Sequence, residues 1–162
     1  MSRPIRVLMV CTGNICRSPT AEGVLRRKLA DAGLADRVVV ESAGTVDYHA
    51  GSPPDLRAQQ SALRRGYDLS KQRARQLRPS DFENFDLLLA LDTDHRDRLF
   101  DMCPGPLVGR IKLLMDYSPT RPRGSSVPDP YYGAPAGFER VLDLIEEACE
   151  GLLRDLRTRV AG

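Results

Sequence analysis

Residues Val7 to Glu22 read VLMVCTGNICRSPTAE, and this stretch sets the organisation of the whole chain. Its apolar start, Ile5 to Val10, has the composition of a buried strand. The polar segment from Cys11 to Arg17, around Gly13, is a tight turn. A helix is expected to open at Ser18-Pro19, because serine is a favoured cap and proline at the first helical position gives up an N–H that has no partner there. A loop wrapped on a helix N-terminus aims several backbone N–H groups at one point, and the helix dipole adds positive potential. Such a turn is built to hold an oxyanion. Arg17 adds a planar fork able to grip two phosphate oxygens, and the same field favours a thiolate at Cys11. The loop thus joins a phosphate cradle to a nucleophile.

Downstream, Ala21, Val24, Leu25, Leu29 and Ala32 recur at helical spacing as far as Gly33. A second strand covers Val38 to Glu41 and runs into Ser42-Ala43-Gly44. Tyr48 to Pro54 is a loop whose prolines can start a helix containing Leu56, Ala58 and Leu63 and stopping near Gly66. Lys71 to Arg78 is basic and unpatterned, the mark of a solvated face, and Ser80-Asp81-Phe82 can cap a short helical turn. The run DLLLAL, Asp86 to Leu91, suits a strand buried on both faces. Asp92 to Phe100 reads as a charged helix, and a fourth strand lies within Ile111 to Met115. From Asp116 to Ala136, Pro119, Pro122, Pro128, Pro130 and Pro135 alternate with Gly124 and Gly133. A loop of that length in a compact domain is functional or disordered. Phe138, Val141, Leu142, Ile145, Cys149, Leu152 and Leu156 define a last amphipathic helix.

Strands alternating with helices predict one α/β domain over residues 1–162. It is an open parallel four-stranded sheet flanked by helices, flavodoxin/Rossmann-like, with an N-terminal phosphate-binding loop. Ligands of such sheets sit beyond the carboxyl ends of the strands. The Cys11 turn, Ser42, Asp92 and Asp129 follow strands one to four and should converge there.

At 162 residues the chain is long enough for a real core, and 41% hydrophobic with 28% charged residues is ordinary for a soluble domain. A net charge of +2 gives no field arguing for nucleic acid or membrane. The cysteines at 11, 16, 103 and 149 form no CxxC pair, so neither a zinc site nor a disulfide framework is indicated. Cys149 falls on the apolar stripe of the last helix and Cys103 in a loop. His49 and His95 lack a metal-like partner set and receive no catalytic role. No metal and no cofactor are expected, and the compartment expected is reducing and cytoplasmic.

Cys11, five residues, Arg17 and Ser18, with Gly13, Asn14, Ile15 and Cys16 inside the loop, resemble the signature of the low-molecular-weight protein tyrosine phosphatases. The likeness extends through Ser42-Ala43-Gly44-Thr45 to Asp129-Pro130-Tyr131-Tyr132. It implies hydrolysis of phosphotyrosine and small aryl phosphates through a cysteinyl phosphate. Cys11 would be the nucleophile, and Arg17 with the amides of Thr12, Gly13, Asn14, Ile15 and Cys16 would bind phosphate. Asp129 would act as general acid and then base. Ser18 would hydrogen-bond the Cys11 sulfur, Asn14 would take a left-handed backbone conformation, and Ser42 and Asp92 would support the loop from behind. Tyr48, Tyr131 and Tyr132 would wall in a phenyl ring. Cys16 would bond reversibly with Cys11 under oxidation. The partners implied are phosphotyrosine-containing proteins and a tyrosine kinase of the same pathway, with the enzyme a monomer or weakly self-associating. Some family members carry histidine three residues before the Arg75 position, where this chain has Gln72.

Three other readings compete. Protein-arginine phosphatases resemble the chain closely but tend to carry threonine at the Ile15 position, so the apolar residue favours an aromatic ring. Thioredoxin-coupled arsenate reductases need two further cysteines placed for a relay. A non-catalytic phosphate-binding module would have no need of Cys11, Arg17 and Asp129 together. A nucleotide-binding loop is excluded by the missing Walker lysine and dinucleotide glycines.

Overall fold

The strand that carries the nucleophile, β1 (Ile5–Cys11), lies inside the sheet and is paired on both sides. The computed structural model describes residues 3–134 and 136–162. Pro135 of the anticipated long loop therefore lies outside the described residues. After β1 come α1 (Arg17–Asp31), β2 (Val38–Gly44), α2 (Leu56–Arg64), α3 (Asp81–Asn84), β3 (Leu87–Ala90), α4 (Thr93–Met102), β4 (Ile111–Leu113) and α5 (Ala136–Ala161). All pairings are parallel and the strand order is β2-β1-β3-β4, the open sheet anticipated.

Side chains alternate across this sheet because successive Cβ atoms of a strand point to opposite faces. Val7, Met9, Leu87 and Leu89 meet Val24, Leu25 and Leu29 of α1 and Val141, Ile145 and Leu152 of α5. Leu8, Val10, Leu88 and Ala90 meet Phe82 of α3, Phe85 and Leu99 of α4 on the other side. The two central strands are covered by helices on both faces, which is why IRVLMVC, after Arg6, and LLLA read as continuous apolar runs, whereas the outer strands keep Glu41 and Lys112. Each fully buried leucine or methionine stabilises the fold by roughly 1.5–3 kcal/mol, so the two-sided core dominates the energetics.

Several boundaries differ from the expectation, each for a local reason. α1 begins at Arg17 with Cys16 in the cap position, so Ser18 is not the cap. Its hydroxyl is instead engaged by Cys11 and Asn14. Pro19 still falls within the first turn, where the missing N–H costs nothing. β2 continues to Gly44, and the prolines before α2 leave the capping to Asp55, whose carboxylate accepts from Arg57 N at 2.8 Å. Ser80 makes no side-chain cap to α3. There the buried Asp81 carboxylate accepts from Arg75 and from the Arg78 backbone. A 3-10 turn over Leu114–Tyr117 takes up the start of the long loop. Cys149 is buried on α5, and Cys103 follows the last turn of α4. Among the described residues no helix is long and apolar enough to cross a membrane.

At Gly44 a Cβ would stand 2.6 Å from the Thr12 carbonyl oxygen, so only glycine lets the end of β2 approach the Cys11 loop this closely. Gly151 of α5 meets the backbone of Tyr117 in the same way: a Cβ there would penetrate the Tyr117 carbonyl oxygen. Alanine normally favours a helix over glycine by ~1 kcal/mol, but a backbone clash cannot be relieved by a rotamer change. Gly151→Ala is therefore expected to lower the unfolding free energy by about 1–3 kcal/mol. Urea denaturation measures it, and an equal or higher midpoint would show that α5 can slide away from the turn without loss.

Candidate active site

β1 ends at Cys11, the chain turns through residues 12–16, and α1 starts at Arg17. The turn is anchored to the neighbouring strand end, since Thr45 N donates to Cys11 O at 2.9 Å and Val46 N to Thr12 O at 3.1 Å. Within it, among the described residues, no protein group accepts from the backbone N–H groups of Gly13, Asn14, Ile15, Cys16, Arg17 or Ser18. A row of unpaired donors at a helix N-terminus is an oxyanion seat.

Asn14 makes this possible. Its backbone is left-handed, φ 60°, a region that asparagine tolerates better than most residues. Its side chain is held on three sides: Nδ2 donates to Ser18 Oγ at 2.8 Å and to Ser42 Oγ at 2.9 Å, and Oδ1 accepts from Arg75 N at 3.0 Å. Ser42 in turn donates to Glu22 Oε1 at 2.7 Å. The backbone of Arg75 thus satisfies Asn14 directly, while Gln72 donates to Pro19 O. Among the described residues no hydrogen bond joins Gln72 to Asn14. Cys11 Sγ lies 2.9 Å from Ser18 Oγ.

Arg17 is buried, with 5% of its side chain exposed. NH1 donates to Asp92 Oδ2 at 2.8 Å and to Val127 O at 2.9 Å, and NH2 lies 3.7 Å from Asp129 Oδ2. Asp92 is also the cap of α4, accepting from His95 N at 2.8 Å through Oδ1. Asp129 is half exposed, and its Oδ1 accepts from Tyr131 N at 3.0 Å, an Asx turn that fixes the carboxylate at the rim. Above the seat opens a cleft of about 470 Å³ lined by Cys11, Thr12, Gly13, Ile15, Cys16, Arg17, Val46, Tyr48, His49, Asp129, Tyr131 and Tyr132. Tyr131 and Tyr132 stack edge to face with centroids 4.8 Å apart. Tyr48 and Tyr132 are strongly exposed, at 81% and 93%, so their rings are free to cover a ligand. Arg57 lies over Tyr131 and Phe138 and ties that wall to α2. Burial above all, with Asp55, Cys11 and Asp129 adding to it, pushes the Cys16 thiol up to about 12.

Every anticipated site residue is thus gathered at one end of the sheet: most line the cleft, and Asn14, Ser18, Ser42 and Asp92 stand behind it. Three neighbours carried no expectation. His49 borders Gly13, Arg57 braces Tyr131, and His95, only 4% exposed, places Nε2 2.7 Å from Thr12 Oγ1 and 3.5 Å from Arg17 NH2. The spacing from Asp92 to His95 was the available signal, since the third residue after a helix cap folds back over it. Among the described residues no cluster of three or more His, Cys, Asp or Glu could hold a metal ion.

Comparison with known proteins agrees with this geometry. Residues 6–161 match the family model for low molecular weight phosphotyrosine protein phosphatase. A low molecular weight protein-tyrosine-phosphatase of Streptomyces coelicolor is 43% identical over 97% of this chain and 96% of its own length. The crystal structure of a protein tyrosine phosphatase from Entamoeba histolytica superposes with a TM-score of 0.91 at 40% identity, covering 95% of this chain and 97% of that one. YfkJ from Bacillus subtilis gives 0.91 at 37% identity, covering 98% of each chain. A chain matched along nearly its whole length, in sequence and in fold, belongs to the low molecular weight phosphotyrosine protein phosphatase family.

Proposed function

We propose that the protein hydrolyses phosphotyrosine and small aryl phosphate monoesters by a two-step displacement. The observation that carries this reading is the convergence of a cysteine, a buried arginine and a rim aspartate on one cleft walled by tyrosines. The Cys11 thiolate attacks phosphorus while the unpaired amides and Arg17 take up the charge of the equatorial oxygens. Asp129 enters protonated and gives its proton to the phenolic oxygen as the P–O bond breaks. Asp129, now a carboxylate, removes a proton from water, which attacks the phosphocysteine and releases phosphate and thiolate. Ser18, whose oxygen is already engaged by Asn14, can turn its own proton toward Sγ and stabilise the departing thiolate. Ile15 and the tyrosine walls offer an apolar lining that suits a phenyl ring better than a guanidinium. The substrates would be phosphotyrosine-containing proteins made by a tyrosine kinase of the same pathway, in a reducing cytoplasm.

Metal-free assays with phosphotyrosine and phosphoarginine peptides test the reading. Cleavage of phosphotyrosine should vanish in Cys11→Ser and fall about a hundredfold, or ~2.7 kcal/mol of barrier, in Asp129→Ala. Preference for phosphoarginine would transfer the protein to that substrate class, and residual turnover in Cys11→Ser would refute the covalent route.

The same site carries a redox proposal. Peroxide would convert the Cys11 thiolate to a sulfenate, and Cys16 would attack that sulfur, releasing water and forming a disulfide. Burial above all pushes the Cys16 thiol up to about 12, so it escapes direct oxidation; the Cys11 charge is near enough to add to that shift, and Cys16 would give its proton to the departing hydroxide as it attacks the Cys11 sulfur. Thiol counting after one equivalent of peroxide should show the loss of two thiols and recovery of activity with dithiothreitol. Irreversible loss of activity without a Cys11–Cys16 bond would dismiss the switch.

A further inference from the structure

His95 occupies the first turn of α4, three residues beyond the Asp92 cap. Its Nε2 lies 2.7 Å from Thr12 Oγ1 and 3.5 Å from Arg17 NH2. A guanidinium has only donors, so the ring nitrogen facing it presents a lone pair, and the Thr12 hydroxyl donates to that same lone pair. The ring proton is then on Nδ1, 3.0 Å from Asp92 Oδ1, a contact that is out of line for a hydrogen bond but electrostatically favourable to a proton there. Asp92 Oδ2 accepts from Arg17 NH1 at 2.8 Å. Thr12, His95, Asp92 and Arg17 therefore close a ring of contacts behind the phosphate seat.

We propose that His95 is a positioning residue of the phosphate loop: as a neutral Nδ1–H imidazole it fixes Thr12, the residue next to the nucleophile, and steers Arg17 NH2 toward the bound phosphate. The proposal rests on the phosphatase reading of the site. It assigns His95 no contact with the reacting atoms. A protonated ring would lose the acceptor for Thr12 and set a second cation against Arg17. The surroundings oppose that state: burial first, then the Arg17 charge from α1, hold the imidazole down at about 4, against Asp92 and Asp94 at the start of α4 and Asp129 on the acid loop, which raise it. An unperturbed histidine, by contrast, titrates near 6.5.

The test combines a probe of the ring with a probe of the seat. Nitrogen-15 NMR of the wild-type protein should show His95 as the Nδ1–H tautomer, with no protonation between pH 8 and 5. An Nε2–H tautomer, or titration near 6.5, would overturn the proposal. Binding of inorganic phosphate, followed by calorimetry, should weaken about tenfold in His95→Phe and in Thr12→Val, and no further in the double variant, because both changes break one interaction. His95→Gln, whose side-chain oxygen can reach the Nε2 position, should recover most of the loss. Additive losses, or unchanged phosphate affinity with only a lower Tm, would reduce His95 to a structural core residue.

Stability gives a further readout with a definite sign. As the folded value lies below the unfolded one, the unfolded chain takes up the proton first, so wild type loses stability as pH falls from 6.5 to 4. The Tm advantage of wild type over His95→Phe should shrink across that window, and a constant difference would contradict a neutral ring. Absence of phosphotyrosine turnover would bring down the proposed function instead, leaving the tautomer and the Thr12 coupling in phosphate binding to be judged separately.

Discussion

A guanidinium buried at the first residue of α1 is the constraint around which the site is arranged. An unpaired cation at that depth would be costly, by far more than the net stability of a domain can absorb. Arg17 is accommodated because Asp92 and the Val127 carbonyl meet NH1. Those two partners come from the end of β3 and from the long loop before Asp129. Neutralising one side chain thereby pins α4 and the acid-bearing loop against the helix that follows the nucleophile. NH2 is left turned toward Asp129 and His95, where a phosphate oxygen can take it up.

The other half of the loop is governed by Asn14. Its left-handed backbone turns the chain so that consecutive amides face one point, and its side chain pays the strain back through Ser18, Ser42 and Arg75. The chain of contacts continues through Ser42 to Glu22 and on to Arg26, which reaches the Val40 carbonyl. Loop shape is therefore coupled to β2 and to the second turn of α1. Gly44 completes the fit by leaving room for the Thr12 carbonyl. A site of this kind is preorganised: its donors are fixed before a phosphate arrives.

Much of this was legible in the sequence because its signals are local. The run from Ile5 to Arg17 specifies strand, loop and helix start within thirteen residues, DLLLAL specifies a strand as a short continuous apolar run, and the stripe from Phe138 to Leu156 specifies a helix by its period. The parallel order of the sheet follows from the alternation of elements. What escaped was the choice of side-chain partners. The cap of α1 moved from Ser18 to Cys16, and the serine hydroxyl is taken up by Cys11 and Asn14 of its own loop. Asn14 Oδ1 is met by the backbone N–H of Arg75, a partner that no residue identity encodes, while Gln72 turns to the Pro19 carbonyl. His95 carried no visible role because its partners, Thr12 and Arg17, lie about eighty positions away in the chain, at separations of 83 and 78 residues.

The packing of α1 against α5 couples the beginning of the chain to its end. Val24, Leu25 and Leu29 share their core with Val141, Ile145 and Leu152 as well as with the sheet, so the helix that backs the nucleophile loop lacks part of its apolar cover until α5 docks. During synthesis the ribosome delivers Cys11 and Arg17 long before Asp92, and Asp92 long before Asp129. The donors of the loop are thus encoded early and their counter-charge and proton donor late, and the helix behind the loop gains its full apolar cover only when α5 docks.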